Sequence, residues 1–189
     1  MARIPYLNRD DLPAEHQSLL DRNINLFRAL ANSPEAARAF GGLGGHIRHK
    51  STLDPRLREM AILQVGYLDR AAYEWSHHVK LATEDFGVTD EDIRALIAET
   101  EARPSGLAPL DRAVLRLARE MAIDVEGTSL TFDEVHSGLG TEHTLDLVIA
   151  IGFYCMVTRV LRTVGVDVEP DYEPYLERFP LPTGGRGSE

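Results

Sequence analysis

The amino-acid sequence predicts an all-α protein, a helical bundle organised around a central helical hairpin. Apolar residues recur at spacings of three and four along most of the chain, which is the period of an amphipathic helix. Proline stands where two helices would begin, in Ser33-Pro34 and Asp54-Pro55, and its fixed φ suits the first helical turn. No segment shows the strict alternation of apolar and polar residues that is typical of a strand.

The central hairpin covers residues 56–87, RLREMAILQVGYLDRAAYEWSHHVKLATEDFG. Gly66 and Asp69 indicate the bend between its two helices, and Gly87 indicates a left-handed cap at the end of the second. Glu74 and His78 are four residues apart and therefore lie on one face of the second helix. An apolar stripe runs beside them: Ala72, Trp75, Val79, Ala82 and Phe86. This pattern predicts a carboxylate and an imidazole at the border of the core.

Flanking segments give the remaining helices, which we place by apolar spacing and by capping residues. The predicted helices cover residues 14–31, 90–99 and 110–123, and another begins at Pro34 with an apolar stripe that reaches Ile47. Thr131 and Glu134 would cap a short helix that Gly138 and Gly140 would end, and the last long helix, over 141–164, is predicted to be the central core helix. Residues 168–182 are rich in proline and aromatic residues, which predicts an ordered arm that lies on a surface, of this chain or of a neighbouring subunit.

The helix after Pro34 contains four glycines, followed by a small basic cluster. The glycines are Gly41, Gly42, Gly44 and Gly45, and the basic residues are His46, Arg48, His49 and Lys50. The glycine spacing matches neither a Walker A loop nor a dinucleotide fingerprint, so we interpret the glycines as points where another helix approaches closely. For the basic cluster two interpretations stay open, a solvated turn and a guide for an anionic substrate.

Composition restricts the class of protein. The chain of 189 residues has 43% hydrophobic residues, which suits one folded domain, and its net charge of −10 disfavours nucleic acid and anionic membranes as partners. The single cysteine, Cys155, allows no intramolecular disulfide and no cysteine-based zinc site. The N-terminus has no apolar signal core, and the most apolar run, 147–158, is too short to span a bilayer. We therefore expect a cytoplasmic protein.

The hairpin carries a recognisable order of residues: Arg58-Glu59, an apolar helix, Tyr73-Glu74-Trp75-Ser76-His77-His78, then Ala82 and Gly87. This order resembles the carboxymuconolactone decarboxylase family, which also contains the alkylhydroperoxidase D-like proteins. The resemblance implies a single domain over residues 1–189, with a core at about 26–166 and a C-terminal arm and tail at 167–189. It also implies an alkylhydroperoxidase D-like helical bundle that assembles as a trimer or hexamer.

The peroxidase branch of this family uses a Cys-x-x-Cys-x-x-x-His motif with a glutamate nineteen residues before the histidine. Glu59 and His78 have that separation, but Ala71 and Glu74 occupy the two cysteine positions. Peroxide reduction by this route needs one thiolate to attack and a second thiol to resolve. Cys155 lies in an apolar run, so we expect peroxidase activity to be weak or absent.

The resemblance to the decarboxylase branch implies general acid–base chemistry without metal or organic cofactor. We predict Glu59, Glu74 and His78 as catalytic residues: His78 as acid and base, Glu59 to orient it, and Glu74 as a second proton carrier or a substrate anchor. Tyr73, Trp75 and His77 are predicted to bind a small anionic or lactone-like substrate.

Other interpretations stay open. Glu74 and His78 could form a structural pair in a non-catalytic oligomer or small-molecule-binding protein, and Trp75 could belong to the core. The sequence does not decide whether His77 or His78 faces a pocket. Glu59, Glu74 and His78 could also supply three ligands to a metal, although the resemblance implies none.

Overall fold

The computed structural model describes residues 2–183, and the predicted tail at 184–189 lies outside them. Within this part of the chain there is no strand, which agrees with the predicted all-α class. The α-helices are α1 Asn25–Leu30, α2 Pro34–His49, α3 Pro55–Leu68, α4 Ala72–Glu84, α5 Asp90–Thr100, α6 Pro109–Asp124, α7 Ser129–Val164 and α8 Glu173–Arg178. Short 3₁₀ helices cover Arg9–Asp11, Ala14–Leu20 and Pro170–Tyr172.

Helix α3 is the centre of the bundle. It packs against α4, α5, α6 and α7, and each of its residues from Leu57 to Tyr67 is buried. Burial on every side is expected of a helix surrounded by others. The Asp54 side chain caps its first turn by accepting a hydrogen bond from the Leu57 backbone N–H at 3.0 Å.

The hairpin forms where the sequence predicts it. Three residues separate the end of α3 from the start of α4. The backbone of Gly66 lies against Trp75, so that a Cβ on Gly66 would be 3.5 Å from the Trp75 backbone nitrogen. Gly87 has φ 73°, the left-handed conformation expected after the second helix. These two glycines fix how closely the hairpin helices pack and where the second helix stops.

The long helix differs in two ways from its prediction. Thr128, not Thr131, is the N-cap of α7, and its hydroxyl accepts from the Thr131 backbone N–H, while Glu134 forms an ion pair with Arg116 instead of closing a capping box. Gly140, at φ 74° and ψ 174°, interrupts α7 and separates the predicted short helix from the long one.

The second half of α7 is not buried all round, so the predicted role of central core helix belongs to α3 instead. One face of α7 enters the core, but the side chains of Leu145, Ile149 and Met156 are 58%, 38% and 40% exposed. By length and composition alone α7 could cross a membrane, yet half of its most apolar window is buried inside the bundle, as in the core helix of a soluble protein.

The predicted helix over residues 14–31 is instead two segments, a 3₁₀ helix that ends at Leu20 and the short helix α1. Ile24, between them, has an extended backbone at φ −113° and ψ 157°. This break turns the chain so that Ile24 and Leu26 pack on the same cluster as Phe153 of α7.

The glycines of α2 serve close packing at one position. A Cβ on Gly44 would come within 3.3 Å of the Phe153 ring, so glycine at that position allows α2 to approach α7. A Cβ on Gly41 would make an ordinary contact with Phe27, and positions 42 and 45 have open space around them. The prediction of close approach therefore holds for Gly44.

The C-terminal arm, residues 167–183, lies on its own chain and packs against α4. The Trp75 indole Nε1–H donates to the Phe179 carbonyl oxygen at 2.8 Å, and the Phe179 ring is buried. Asp167, at the start of the arm, exchanges hydrogen bonds with the Tyr6 hydroxyl. The arm therefore covers the side of α4 that carries Trp75 and His77, and Tyr73–Val79 are all buried.

Candidate active site

Three predicted catalytic side chains converge in the bundle. Glu59 projects from α3, and Glu74 and His78 project from α4. His78 Nδ1 lies 2.6 Å from Glu59 Oε2, and His78 Nε2 lies 2.9 Å from Glu74 Oε1. The imidazole therefore bridges the two carboxylates, and all three side chains are buried.

The two carboxylates determine the charge of the imidazole. Burial lowers the pKa of His78, but the charges and hydrogen bonds of Glu59 and Glu74 outweigh this effect and raise the pKa from 6.5 to about 9. His78 is consequently an imidazolium at neutral pH, with an N–H directed at each carboxylate. Arg58, also buried, donates to the other oxygen of Glu59 at 3.3 Å, so Glu59 is held between two cations.

A small cavity adjoins Glu74 and His78 and is partly open to solvent. Its volume is about 30 Å³, which is room for about one or two water molecules. The wall is mainly apolar and aromatic with a few polar groups, and it consists of Arg22, Ile24, Leu26, Phe27, Phe40, Gly41, Gly44, Arg48, Tyr73, Glu74, His77, His78, Phe153, Tyr154 and Val157. Glu59 is not in this wall and lies behind His78.

His77 and Tyr73, two predicted substrate-binding residues, also border the cavity, but their polar atoms are engaged elsewhere. Glu169 of the C-terminal arm accepts from His77 Nε2 at 2.8 Å and from the Tyr73 hydroxyl at 3.1 Å. The His77 ring is stacked between the rings of Tyr73 and Tyr172, whose centroids lie 4.1 Å and 3.5 Å from its own. Burial lowers the pKa of His77 in spite of Glu169, so this ring is neutral at pH 7.

Trp75, the third predicted substrate-binding residue, does not border the cavity. Its side chain is fully buried in a core cluster with Tyr67, Val79 and Phe179. The reason is its position one residue after Glu74, which turns it to a different face of α4. The prediction for Trp75 as a pocket residue was wrong, and the core interpretation holds.

Sequence reasoning missed Tyr154 and the aromatic wall, and it placed Arg48 only within a basic cluster. Tyr154 lies edge-on to His78 with ring centroids 4.8 Å apart, and Phe40 and Phe153 pack together at 4.9 Å. These residues come from α2 and α7, far along the chain from the hairpin. The only signal was the helical spacing of Phe40, Gly44 and Arg48, which puts them on one face of α2.

Cys155 is half-buried and is not part of the cavity wall. Burial raises the pKa of its thiol, which disfavours the thiolate that peroxide chemistry requires. Among residues 2–183 no group of three or more histidine, cysteine, aspartate or glutamate side chains has an arrangement that could hold a metal ion.

Comparison with known proteins agrees with this fold. Residues 34–120 match the sequence model of the carboxymuconolactone decarboxylase family, a region that contains the whole hairpin. No curated protein sequence matches the chain.

Several solved structures share its fold. An uncharacterised peroxidase-related protein with an alkylhydroperoxidase AhpD core from Ralstonia eutropha JMP134 aligns with TM-score 0.76 and 19% identity, over 93% of this chain and 95% of that one. An uncharacterised peroxidase-related protein from Silicibacter sp. TM1040 aligns with TM-score 0.73 and 20% identity, over 90% of this chain and 92% of that one. The debrominase Bmp8 in complex with 2,3,4-tribromopyrrole aligns with TM-score 0.72 and 19% identity, over 94% of this chain and 98% of that one. Residues 34–120 therefore match the carboxymuconolactone decarboxylase family model, and the chain shares the all-α fold of these alkylhydroperoxidase D-like structures.

Proposed function

We propose that the protein is a cofactor-independent acid–base enzyme, a decarboxylase or other lyase, or an isomerase, that acts on a small anionic or lactone-like substrate. One observation carries the proposal: an imidazolium, His78, bridges two buried carboxylates beside a cavity that only one of them, Glu74, borders. A buried and charged network of this kind is costly to a fold, and titratable groups with shifted pKa values beside a cavity are typical of functional sites.

In this proposal Glu74 exchanges protons with the substrate. One of its oxygens accepts from His78, and the side chain borders the cavity, so the carboxylate can take a proton from a substrate carbon or hydroxyl. The same proton returns to another carbon in an isomerisation. In a decarboxylation the carboxylate of the substrate leaves as CO₂, and the electron pair left on carbon takes a proton from His78 through Glu74. A proton from solvent then restores the His78 cation.

His78 and Glu59 then act together. Glu59 holds the Nδ1 side of the ring, which fixes the direction in which the Nε2–H points at Glu74. The cation offsets the buried charge of Glu74 and is the source of the proton that Glu74 passes on. Glu59 does not border the cavity, so it is a positioning residue.

The site does not favour sulfur chemistry. The peroxidase-related neighbours and the debrominase share the fold with this chain at about 20% identity. A likeness of this degree does not transfer their substrates to this protein. In this chain Ala71 and Glu74 stand at the two positions of the motif cysteines, and Cys155 is outside the cavity wall. A thiol-dependent reaction would therefore need a group that the cavity does not offer.

The second candidate is a small-molecule-binding protein without turnover, in which Glu74 and His78 are a structural pair. Their contact at 2.9 Å fits this interpretation as well as it fits the enzyme. At about 30 Å³ the cavity admits a lactone-sized molecule only if its half-buried rim at Phe40 and Gly41 moves, and this holds for both functions. The two functions differ in turnover: only the enzyme exchanges protons with its ligand.

The test is proton exchange between substrate carbon and solvent. Lactones, 2-keto acids and 3-keto acids are incubated with the protein in D₂O with a chelator, and NMR follows deuterium incorporation and loss of CO₂. We expect acceleration of at least one compound class, and Glu74→Gln should reduce it about 100-fold or more, the usual contribution of a general base.

Glu84→Gln is the matched control, because Glu84 lies on the same helix and its side chain is 48% exposed. This variant should keep full exchange activity. If no compound exchanges while several bind, the binding function is preferred. If Glu74→Gln exchanges as fast as the wild type, Glu74 is not the proton carrier.

We also propose that the protein is a cytoplasmic homo-oligomer without nucleic-acid or membrane partners. Support comes from the net charge of −10 and from the exposed apolar side chains of Leu145, Ile149 and Met156 on one face of α7. Analytical ultracentrifugation should give a trimer or hexamer, and Ile149→Asp should shift it towards the monomer.

A further inference from the structure

Arg48 brings an uncompensated positive charge to the cavity. It is the penultimate residue of α2, and it shares a helix face with Phe40 and Gly44, which also border the cavity. Its Nε–H is buried and makes no hydrogen bond with any residue of the described chain. A buried donor without an acceptor is rare in folded proteins, and it indicates that something outside the chain accepts from it.

Some inward-facing arginines are compensated, as Arg58 is by its contact with Glu59. Among residues 2–183 no carboxylate forms an ion pair with Arg48. Arg70 also has a buried nitrogen, Nη1, without a hydrogen-bond partner, but it lies outside the cavity wall. Arg22, the second arginine of that wall, likewise forms no ion pair among the described residues, so the wall carries two cations without an ion-pair partner.

Tyr154 supplies a second donor on the same wall. Its ring contacts His78 and Phe153, and its hydroxyl forms no hydrogen bond with the described residues. Burial and the nearby glutamates raise the pKa of this phenol, while the Arg48 charge acts in the opposite direction, so the two side chains are near each other. The phenol stays protonated and can only donate to an anion.

The side of the cavity that Glu74 borders repels a further anion. Glu74 already carries a negative charge and accepts from His78, whose two N–H groups are both directed at glutamates. An anionic group on a ligand would be repelled by Glu74 and attracted by Arg48. Charge alone therefore orients a carboxylate towards α2 and the reacting carbon towards α4.

We propose that Arg48 and Tyr154 form the anion subsite of this cavity, and that they bind a carboxylate of the substrate. This inference rests on the proposed function, because it names the substrate class of the same site as small monocarboxylic or dicarboxylic acids. Arginine suits the role because its planar guanidinium can donate two N–H groups to one carboxylate. Neither residue takes part in the proton transfer assigned to Glu74.

The experiment measures binding rather than turnover. Formate, acetate, propionate and benzoate are titrated into the protein at low ionic strength, each beside its neutral amide, and affinities are read from NMR shifts and from the change in melting temperature. The graded sizes show which ligands the small cavity admits. At least one carboxylate should bind tenfold or more tightly than its amide.

Variants then assign the effect. Arg48→Gln should weaken binding of that carboxylate tenfold or more and remove its preference over the amide, and Tyr154→Phe should weaken it by about threefold. Arg94→Gln is the matched control, since Arg94 is 60% exposed on α5, and it should leave the affinity unchanged. Circular dichroism and the melting temperature of Arg48→Lys and Arg48→Gln separate loss of binding from loss of folding.

The outcomes distinguish this inference from the proposed function. Glu74→Gln should bind the carboxylate as well as or better than the wild type, because it removes a repelling charge, even though it should lose exchange activity. Carboxylates and amides that bind equally, or carboxylate binding that survives in folded Arg48→Gln, would overturn the subsite and leave the proton-transfer proposal standing. Carboxylate binding that depends on Arg48 without any proton exchange would support the subsite and overturn the enzyme.

Discussion

His77 and His78 are consecutive residues of one buried helix, and their surroundings are opposite. His78 faces α3 and the cavity and lies between two carboxylates, Glu59 and Glu74, at 2.6 and 2.9 Å. His77 faces the C-terminal arm and lies between two tyrosine rings, with one carboxylate, Glu169, at 2.8 Å.

The difference shows what decides the charge of a buried imidazole. For both rings burial is the largest single effect and lowers the pKa. One carboxylate does not reverse it at His77, whereas two carboxylates raise the pKa of His78 to about 9. His77 is therefore a neutral donor that holds the arm, and His78 is a cation that neutralises an acidic pair.

Replacing His78 should have the largest effect on stability. His78→Gln removes the cation between Glu59 and Glu74 and leaves two carboxylates close together in the interior. Breaking a buried ion pair from one side costs about 3–5 kcal/mol, and we expect the free energy of unfolding in urea to fall by that amount. His49→Gln, at an exposed position of α2, is the control and should change it by less than about 0.5 kcal/mol.

The double variant Glu74→Gln with His78→Gln sharpens the comparison. It leaves a single carboxylate, Glu59, which still contacts Arg58. Stability should recover by about 1 kcal/mol or more relative to His78→Gln alone, because the repulsion between the carboxylates is gone. Equal stability of the single and double variants would show that Glu59 and Glu74 do not repel each other once His78 is gone.

The second largest effect should be the pH dependence of stability. The folded pKa of His78 is above the unfolded value, so its contribution is complete below pH 6.5 and is lost as pH rises from 6.5 to about 9. The loss should amount to about 3 kcal/mol, since each pKa unit corresponds to about 1.4 kcal/mol. His77 has the opposite sign: its folded pKa is lowered, so it destabilises the protein as pH falls below 6.5.

Urea unfolding from pH 5 to 10 tests this dependence, with His78→Gln and His77→Gln measured beside the wild type. The difference between wild type and His78→Gln should shrink above pH 7, and the difference for His77→Gln should change only below 6.5. NMR titration of the two imidazoles gives the same result directly. Similar titration midpoints for both rings would break the comparison.

The sequence was sufficient for the hairpin and for the three catalytic candidates because their positions follow from local geometry. Glu74 and His78 share a helix face at a spacing of four, and Pro55 and Gly87 mark the helix ends. Glu59 came from the resemblance to the family motif. These features follow from the helical repeat and from the spacing of Glu59 and His78 in the family motif.

The sequence was insufficient wherever a distant segment decides the environment. The sequence left Trp75 open between core and cavity, because Phe179, which covers it, is more than one hundred residues later in the chain. The neutral state of His77 depends on its burial under the C-terminal arm, and no local pattern assigns the arm's Glu169 to α4. Arg48 and Tyr154 join the site only because α2 and α7 meet there.

A smaller effect should follow from releasing the arm. Glu169 accepts from His77, from the Tyr73 hydroxyl and from the Asn25 backbone N–H at 2.6 Å. Glu169→Gln should cost about 2 kcal/mol, because hydrogen bonds to a charged acceptor are lost or weakened, and the pKa of His77 should fall further. Urea unfolding and the NMR titration of His77 measure both changes.

Glu177→Gln is the control for the arm, since its carboxylate is exposed and makes no hydrogen bond with the described residues. It should leave stability and the His77 pKa as they are. If the His77 pKa rises in Glu169→Gln, Glu169 is not the group that raises this pKa against the effect of burial.

The smallest expected effect is that of removing the cysteine. Cys155 is half-buried, burial raises the pKa of its thiol, and it lies outside the cavity wall that His78 borders. Cys155→Ala should therefore leave proton exchange unchanged and shift the free energy of unfolding by less than about 1 kcal/mol. Neither the wild type nor the variant should consume peroxide in the presence of a dithiol. Rapid peroxide turnover that disappears in Cys155→Ala would mean that the acidic pair around His78 is a structural replacement for the lost motif cysteines, and that the chemistry of this protein lies on α7 instead.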